Sequence, residues 1–85
     1  MPELRFTRRA KQDLSDLPPA IRGAVLETID LIAREPGAAG KQLVGRMSGI
    51  WSARVGNYRV LYTIEPSLII VRAIRHRAVA YNRRE

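Results

Sequence analysis

The stretch RVGNYRVLY, residues 54–62, sets two arginines symmetrically about a Gly-Asn pair. Gly-Asn between alternating apolar runs signals a tight β-hairpin, with Gly56 supplying the positive φ that the first position of a primed turn needs. With Gly56 and Asn57 as the two loop residues, Val55 faces Tyr58 and Arg54 faces Arg59. The Cβ atoms of the two arginines would then lie about 5 Å apart, and like charges so placed destabilise a sheet. A bound polyanion relieves that repulsion, because planar guanidinium forks donate paired hydrogen bonds to phosphate oxygens. Without an anion the forks bend into water, where salt screens them. The chemistry this pair suits is phosphate binding. His76, the single histidine, is on pKa grounds an acid–base candidate beside it, or else a hydrogen-bonded residue that fixes the tail.

Stepping outward along the chain, Glu3 to Phe6 reads as a short strand. Thr7 caps a following helix in which Ala10, Leu14 and Leu17 recur at helical spacing. Pro18 and Pro19 end that segment and open a second helix running to about Glu35, with Ile21, Val25, Ile29 and Ile32 on one stripe and Leu26 widening it. Pro36 and Gly37 stop it. Residues 36–49 read as a connecting loop that carries Lys41 and Arg46. After it the apolar period changes from 3.6 to 2, and Ile50–Val55, Tyr58–Ile64 and Leu68–Arg75 read as three strands, the last two joined at Glu65-Pro66-Ser67. A polar, arginine-rich tail follows from His76, long enough for one helical turn. The expected fold is α+β in the order β-α-α-β-β-β, with two helices on one face of a small, mainly antiparallel sheet. Eighty-five residues make a single domain, 1–85, with one core.

Alternation then sorts the side chains by face. Trp51, Ala53 and Val55 fall with Tyr58, Val60, Tyr62 and Ile64, a nearly pure apolar set that belongs against the helices. Tyr58, Tyr62 and Trp51 therefore read as packing rather than as platforms for bases. Ser52, Arg54, Arg59, Leu61 and Thr63 form the open face. The register of the next strand depends on its loop: an odd loop brings Arg75 to the open face, and an even loop brings Arg72 there instead. The expectation is Arg75, with Arg72 snorkelling from beneath the helices.

The totals agree with an anionic partner. The formal charge is +7, and residues 50–85 hold seven Arg against two acidic residues, while residues 1–49 hold eight Lys or Arg against six. A field of that sign attracts polyanions. With no cysteine, a disulfide framework, a thiolate metal site and a thiol nucleophile are all excluded. No stretch reaches the roughly 18 continuous apolar residues of a membrane span, and MPELRFTRRAKQ lacks a signal-peptide core, so the expected location is cytoplasmic.

Several of these segments resemble the toxins of the RelE/ParE superfamily, the toxic halves of bacterial type II toxin–antitoxin pairs. The similarity spans essentially the whole chain and is carried by LVG at Leu43, IWSARVGNYRVLYTI and IRHRAVAY, the last ending at Tyr81. RelE-like members cut mRNA in the ribosomal A site, and ParE-like members inhibit DNA gyrase on the same scaffold. The RelE branch is the one favoured here, with a gyrase inhibitor or a degenerate, non-catalytic binding module as the alternatives. The resemblance implies attack by the 2′-hydroxyl of RNA on the adjacent phosphate to leave a 2′,3′-cyclic phosphate, with no metal or cofactor. Carried over by motif position, the catalytic residues would be Arg54, Arg59, Arg75, Arg77 and Tyr81. Tyr81 would serve as base if arginines stabilise its phenolate. Where many RelE-like nucleases carry a further Lys or Arg, this chain has Ser52. RNA contacts would come from Arg54, Arg59, Lys41, Arg46, His76 and Lys11, the last part of a basic first helix that could touch 16S rRNA. The implied partners are mRNA, the ribosome and a cognate antitoxin whose acidic amphipathic segment fills the groove in a toxin–antitoxin hetero-oligomer.

Overall fold

The computed structural model describes residues 3–77. Five strands form one sheet in the order β1-β5-β4-β3-β2: β1 (Glu3–Phe6), β2 (Lys41–Gln42), β3 (Trp51–Val55), β4 (Tyr58–Glu65) and β5 (Leu68–His76). The pairs β2–β3, β3–β4 and β4–β5 are antiparallel, and β1 runs parallel to β5 from Glu3↔Leu68 to Phe6↔Val71. Helices α1 (Arg8–Asp16), α2 (Pro19–Arg34) and the single turn α3 (Pro36–Ala39) complete the α+β architecture.

Local chemistry accounts for the helix limits. The Thr7 hydroxyl accepts the Ala10 N–H at 3.0 Å, satisfying one orphan donor of the first turn of α1. At the other end the Arg22 guanidinium donates to the carbonyls of Ser15 and Leu17, both at 3.1 Å, so a residue of α2 closes the end of α1. Pro19 opens α2, where its missing N–H costs nothing.

The core lies between the helices and one sheet face. Ala10 and Leu17 from α1, with Val25, Ile29 and Ile32 from α2, pack on Ala53, Val55, Val60, Tyr62, Ile69, Val71 and Ile74. Trp51 stacks on Tyr62 with ring centroids 6.2 Å apart, and the buried Tyr62 hydroxyl donates to the Pro36 carbonyl at 2.7 Å. The aromatics of the hairpin are thus committed to packing. Burial raises the Tyr62 phenol above its ordinary value.

Two expectations need correction. Leu26 does not widen the buried stripe; it is 46 % exposed, because α2 turns only the Val25, Ile29 and Ile32 line to the sheet. The segment 36–49 is more than a loop, since it holds α3, the edge strand β2 and a 3₁₀ turn at Gly45–Met47. With two polar residues, β2 offers no alternation to read. Its approach to β3 depends on Gly40, where a Cβ would stand 2.7 Å from both the Ser52 carbonyl oxygen and Tyr62 Oη.

Strand β1 covers only the first half of β5. Beyond Val71 the start of α1 takes over: the Thr7 N–H donates to the Val71 carbonyl at 3.0 Å, the Thr7 hydroxyl to the Arg72 carbonyl at 2.9 Å, and Asp13 Oδ2 accepts the Ile74 N–H at 2.9 Å. A helix end thereby satisfies backbone groups that would otherwise form a bare strand edge.

Candidate functional site

The hairpin turn forms as the Gly-Asn pair requires. Gly56 has φ +58°, and the ladder runs Val55↔Tyr58, Arg54↔Arg59, Ala53↔Val60. The two arginines face each other directly. On the far side of β4, Arg59 is also paired with Arg75 of β5. Three guanidinium-bearing residues therefore occupy one row across β3, β4 and β5, on the face away from the helices.

The placement of Arg75 depends on a defect in the ladder. Glu65 pairs with Leu68, so the loop is the even, two-residue Pro66-Ser67 turn, and a regular ladder from it would set Leu61 opposite Arg72 and Arg59 opposite Ile74. A bulge between the Leu61 and Tyr62 pairings leaves Arg72 as an extra residue, so Leu61 faces Ala73, Val60 faces Ile74 and Arg59 faces Arg75. Arg75 reaches the row as expected, by a route the loop-parity argument did not contain. Arg72 does not snorkel beneath the helices: it is exposed and its Nε donates to Thr63 Oγ1 at 3.1 Å. A bulge residue escapes strict alternation, so both arginines avoid the core.

Arg54 and Arg59 also wall a groove of about 460 Å³ that runs toward the β2 edge, where Lys41 and Ser52 join them beneath Ala39 and Gly40. Lys41 is the direct cross-strand neighbour of Ser52. Ser52, an open-face residue by alternation, is buried, and its hydroxyl makes no hydrogen bond among the described residues.

The remaining site candidates are dispersed. His76 pairs with Tyr58 and meets its ring edge-on, with centroids 5.2 Å apart, so it lies on the Tyr58 side of the sheet rather than in the arginine row. Arg77 is held beside the hairpin by its N–H, which donates to the Asn57 carbonyl at 2.6 Å. Arg46 lies exposed in the 3₁₀ turn. Lys11 lines a different hollow, with Phe6, Leu14, Ser15 and Arg22, on the helical side. Tyr81 falls outside the described residues. Among those described, no three His, Cys, Asp or Glu side chains converge as a metal site would require, and no helix is long and apolar enough to cross a membrane. The row and its groove are cationic and free of carboxylates, an arrangement that holds polyanionic oxygens.

Comparison with known proteins places the chain in a family. The model of the ParE toxin of the type II toxin–antitoxin system matches residues 4–81. This chain belongs to the ParE toxin family. It is 42 % identical over 83 residues to Toxin RelG of Mycobacterium tuberculosis, spanning 94 % of this chain and 95 % of that protein. The crystal structure of the toxin–antitoxin complex RelBE2 from Mycobacterium tuberculosis matches it with a TM-score of 0.79 at 40 % identity, over 89 % of this chain and 91 % of that one. A chain of the intact RelBE toxin–antitoxin complex of E. coli shares the fold with a TM-score of 0.77 at 18 % identity, over 89 % and 96 % of the two chains. The ParE family member described here is accordingly a toxin of a type II toxin–antitoxin system within the RelE/ParE superfamily.

Proposed function

We propose that this toxin is a metal-independent endoribonuclease that cuts mRNA in the ribosomal A site. The observation that carries the reading is the alignment of Arg54, Arg59 and Arg75 in one cross-strand row on the open face. In the proposed reaction the 2′-oxygen of one nucleotide bonds to the neighbouring phosphorus, the bond from phosphorus to the 5′-oxygen breaks, and a 2′,3′-cyclic phosphate remains. The 2′-hydroxyl proton passes to a base, and the departing 5′-oxygen takes one from an acid. Arg54 and Arg59 hold the non-bridging oxygens, whose negative charge grows in the transition state. Donors fixed by a paired ladder need little reorganisation when that charge develops, which is where such groups contribute most. Tyr81 is proposed as the base, and Arg75 or Arg77 as the group that stabilises or protonates the leaving oxygen. Lys41, Arg46, His76 and Lys11 extend the RNA and rRNA footprint.

The partner proposed is an antitoxin with an acidic amphipathic segment that covers the groove, forming a hetero-oligomer in the cytoplasm. It is supported by the relative at 40 % identity, whose structure is that of a toxin–antitoxin complex.

The family match itself favours one second reading, inhibition of DNA gyrase on the same scaffold. Separate measurement of protein and DNA synthesis in the first minutes after induction distinguishes the two. The ribonuclease reading expects translation to stop first and cleaved messages to carry cyclic phosphate ends. An early DNA-damage response with translation intact would replace it by the gyrase reading, and no growth arrest at all would leave a binding module. Arg59→Ala should lower the cleavage rate by roughly 10² to 10³, the loss typical of one preorganised transition-state donor, without unfolding the protein.

A further inference from the structure

The groove continues past the arginines, and the continuation has its own chemistry. One row along the sheet from Arg54 and Arg59 lie Lys41, Ser52, Leu61 and Ala73, joined by the pairs Lys41↔Ser52, Ser52↔Leu61 and Leu61↔Ala73. Only its β2–β3 end is polar. There Lys41 stands directly across from Ser52, and both line the same groove as Arg54 and Arg59. Ser52 is 7 % exposed, and its Oγ has no hydrogen-bond partner among the described residues. A buried hydroxyl left unsatisfied costs free energy that a bound acceptor would recover. Lys41 is exposed, and its flexible stem lets the ammonium fold over the groove toward the same acceptor.

We propose that Lys41 and Ser52 form a second phosphate subsite, which takes the backbone phosphate next to the one held by the arginine row. The ligand class is single-stranded RNA. Successive same-face residues of a strand are separated by about 6.7 Å, comparable to one nucleotide step of an extended single strand. The two rows are therefore spaced to hold consecutive phosphates. Leu61 and Ala73 carry no charge, and Arg72, the next cation along β5, is already engaged with Thr63, so the strand leaves the arginine row toward the β2 edge. Ser52 Oγ–H donates to a phosphate oxygen, and Lys41 supplies the countercharge from the neighbouring strand. The proposal rests on the ribonuclease reading for its choice of RNA, but it concerns binding and is tested apart from cleavage.

The experiment compares two probes at low salt: a dinucleotide with one phosphodiester and a trinucleotide with two, each 2′-O-methylated so that it cannot be cut. Wild-type toxin should bind the trinucleotide about two- to fivefold more tightly, the order expected of one exposed charge contact. Lys41→Met should abolish that increment, weakening the trinucleotide more than the dinucleotide, whereas Ser52→Ala should reduce the increment without altering charge. Adding Ser52→Lys to Lys41→Met should restore it, because the cation returns to the same cross-strand pair. Restoration also shows that the variants fold. Absence of an increment in the wild type, or equal weakening of both probes by Lys41→Met, would overturn the subsite and reduce Lys41 to a contributor to the general field. A subsite that behaves as described in a toxin that never cleaves message would instead remove the ribonuclease reading and leave the subsite standing.

Discussion

Both hairpins of the sheet are built on two-residue turns, yet only one keeps a straight ladder. From Gly56-Asn57 the pairing runs without interruption through five residues of β3, from Val55↔Tyr58 to Trp51↔Tyr62. From Pro66-Ser67 it runs for four pairs to Tyr62↔Val71, skips Arg72, and resumes with Leu61↔Ala73. The difference lies in what touches the far side of each strand. Strand β3 meets only the two-residue β2 there, so its turn sets its register. Strand β5 meets the start of α1, where Thr7 and Asp13 engage the Arg72 carbonyl and the Ile74 N–H on either side of the bulge. A bulge leaves ladder groups unpaired, and these two contacts give them partners. A ladder defect persists where a tertiary contact satisfies what the ladder gives up, and here the defect carries Arg75 into line with Arg54 and Arg59.

Deleting Arg72 should break the contrast outright. Ala73 would then follow Val71 directly in a straight ladder that keeps Arg75 opposite Arg59, while the Thr7 hydroxyl loses the Arg72 carbonyl and Asp13 is pulled off the Ile74 N–H, contacts worth about 1–3 kcal/mol each. Urea unfolding of the deletion variant should show that loss while growth arrest persists. A wild-type midpoint would mean that the bulge is dispensable. A smaller effect is expected from Asp13→Ala, which removes the acceptor of the Ile74 N–H and should destabilise by about 1–3 kcal/mol. Exchange of the Ile74 amide should accelerate, and Asp13→Asn, which keeps a carbonyl acceptor, should recover part of both effects. If Ile74 exchange is unchanged in Asp13→Ala, the clamp is not what holds the bulge.

The straight hairpin should yield to its turn alone. Gly56→Ala places a Cβ at φ +58°, costing about 1–2 kcal/mol, and its nearest neighbour would be Ile21 Cδ1 at an ordinary 3.5 Å, so no clash adds to it. Ser67→Ala in the other turn should stay within about 0.5 kcal/mol. Equal losses at the two turns would contradict the assignment of register to turn chemistry in one and to α1 in the other. The smallest effect is a pH dependence at Tyr62, beside the bulge. Because its folded phenol ionises above the ordinary value, its contribution is fully present below about pH 10 and is lost as pH rises through the folded value. Tyr62→Phe should lose the hydrogen bond to Pro36 at every pH but show a shallower decline in stability under alkaline conditions.

Much of this arrangement is legible along the chain because it depends on near neighbours. Thr7 as a cap, the two prolines between α1 and α2, and the Gly56 turn each act within a few residues, and alternation assigns Trp51, Tyr58 and Tyr62 to the core without knowledge of what covers them. The facing of Arg54 and Arg59 follows from the turn by counting. Lys41 is legible as a charge, but not its place in a strand, since β2 forms only where Gly40 lets the backbone close on Ser52. The Tyr58-side position of His76 also had no local signal, because it follows from how β5 as a whole is registered against β4.

The α+β order, the identity of the packed face and the confrontation of two arginines across a turn are written into short stretches of the chain, because periodicity and turn stereochemistry are local properties. Long-range packing is what makes Arg75 join them, keeps Arg72 outside the core and sets Lys41 across from Ser52. Those outcomes depend on the start of α1 meeting the middle of β5 and on an edge strand closing over a glycine, contacts between residues up to 65 positions apart in the chain that no local pattern encodes.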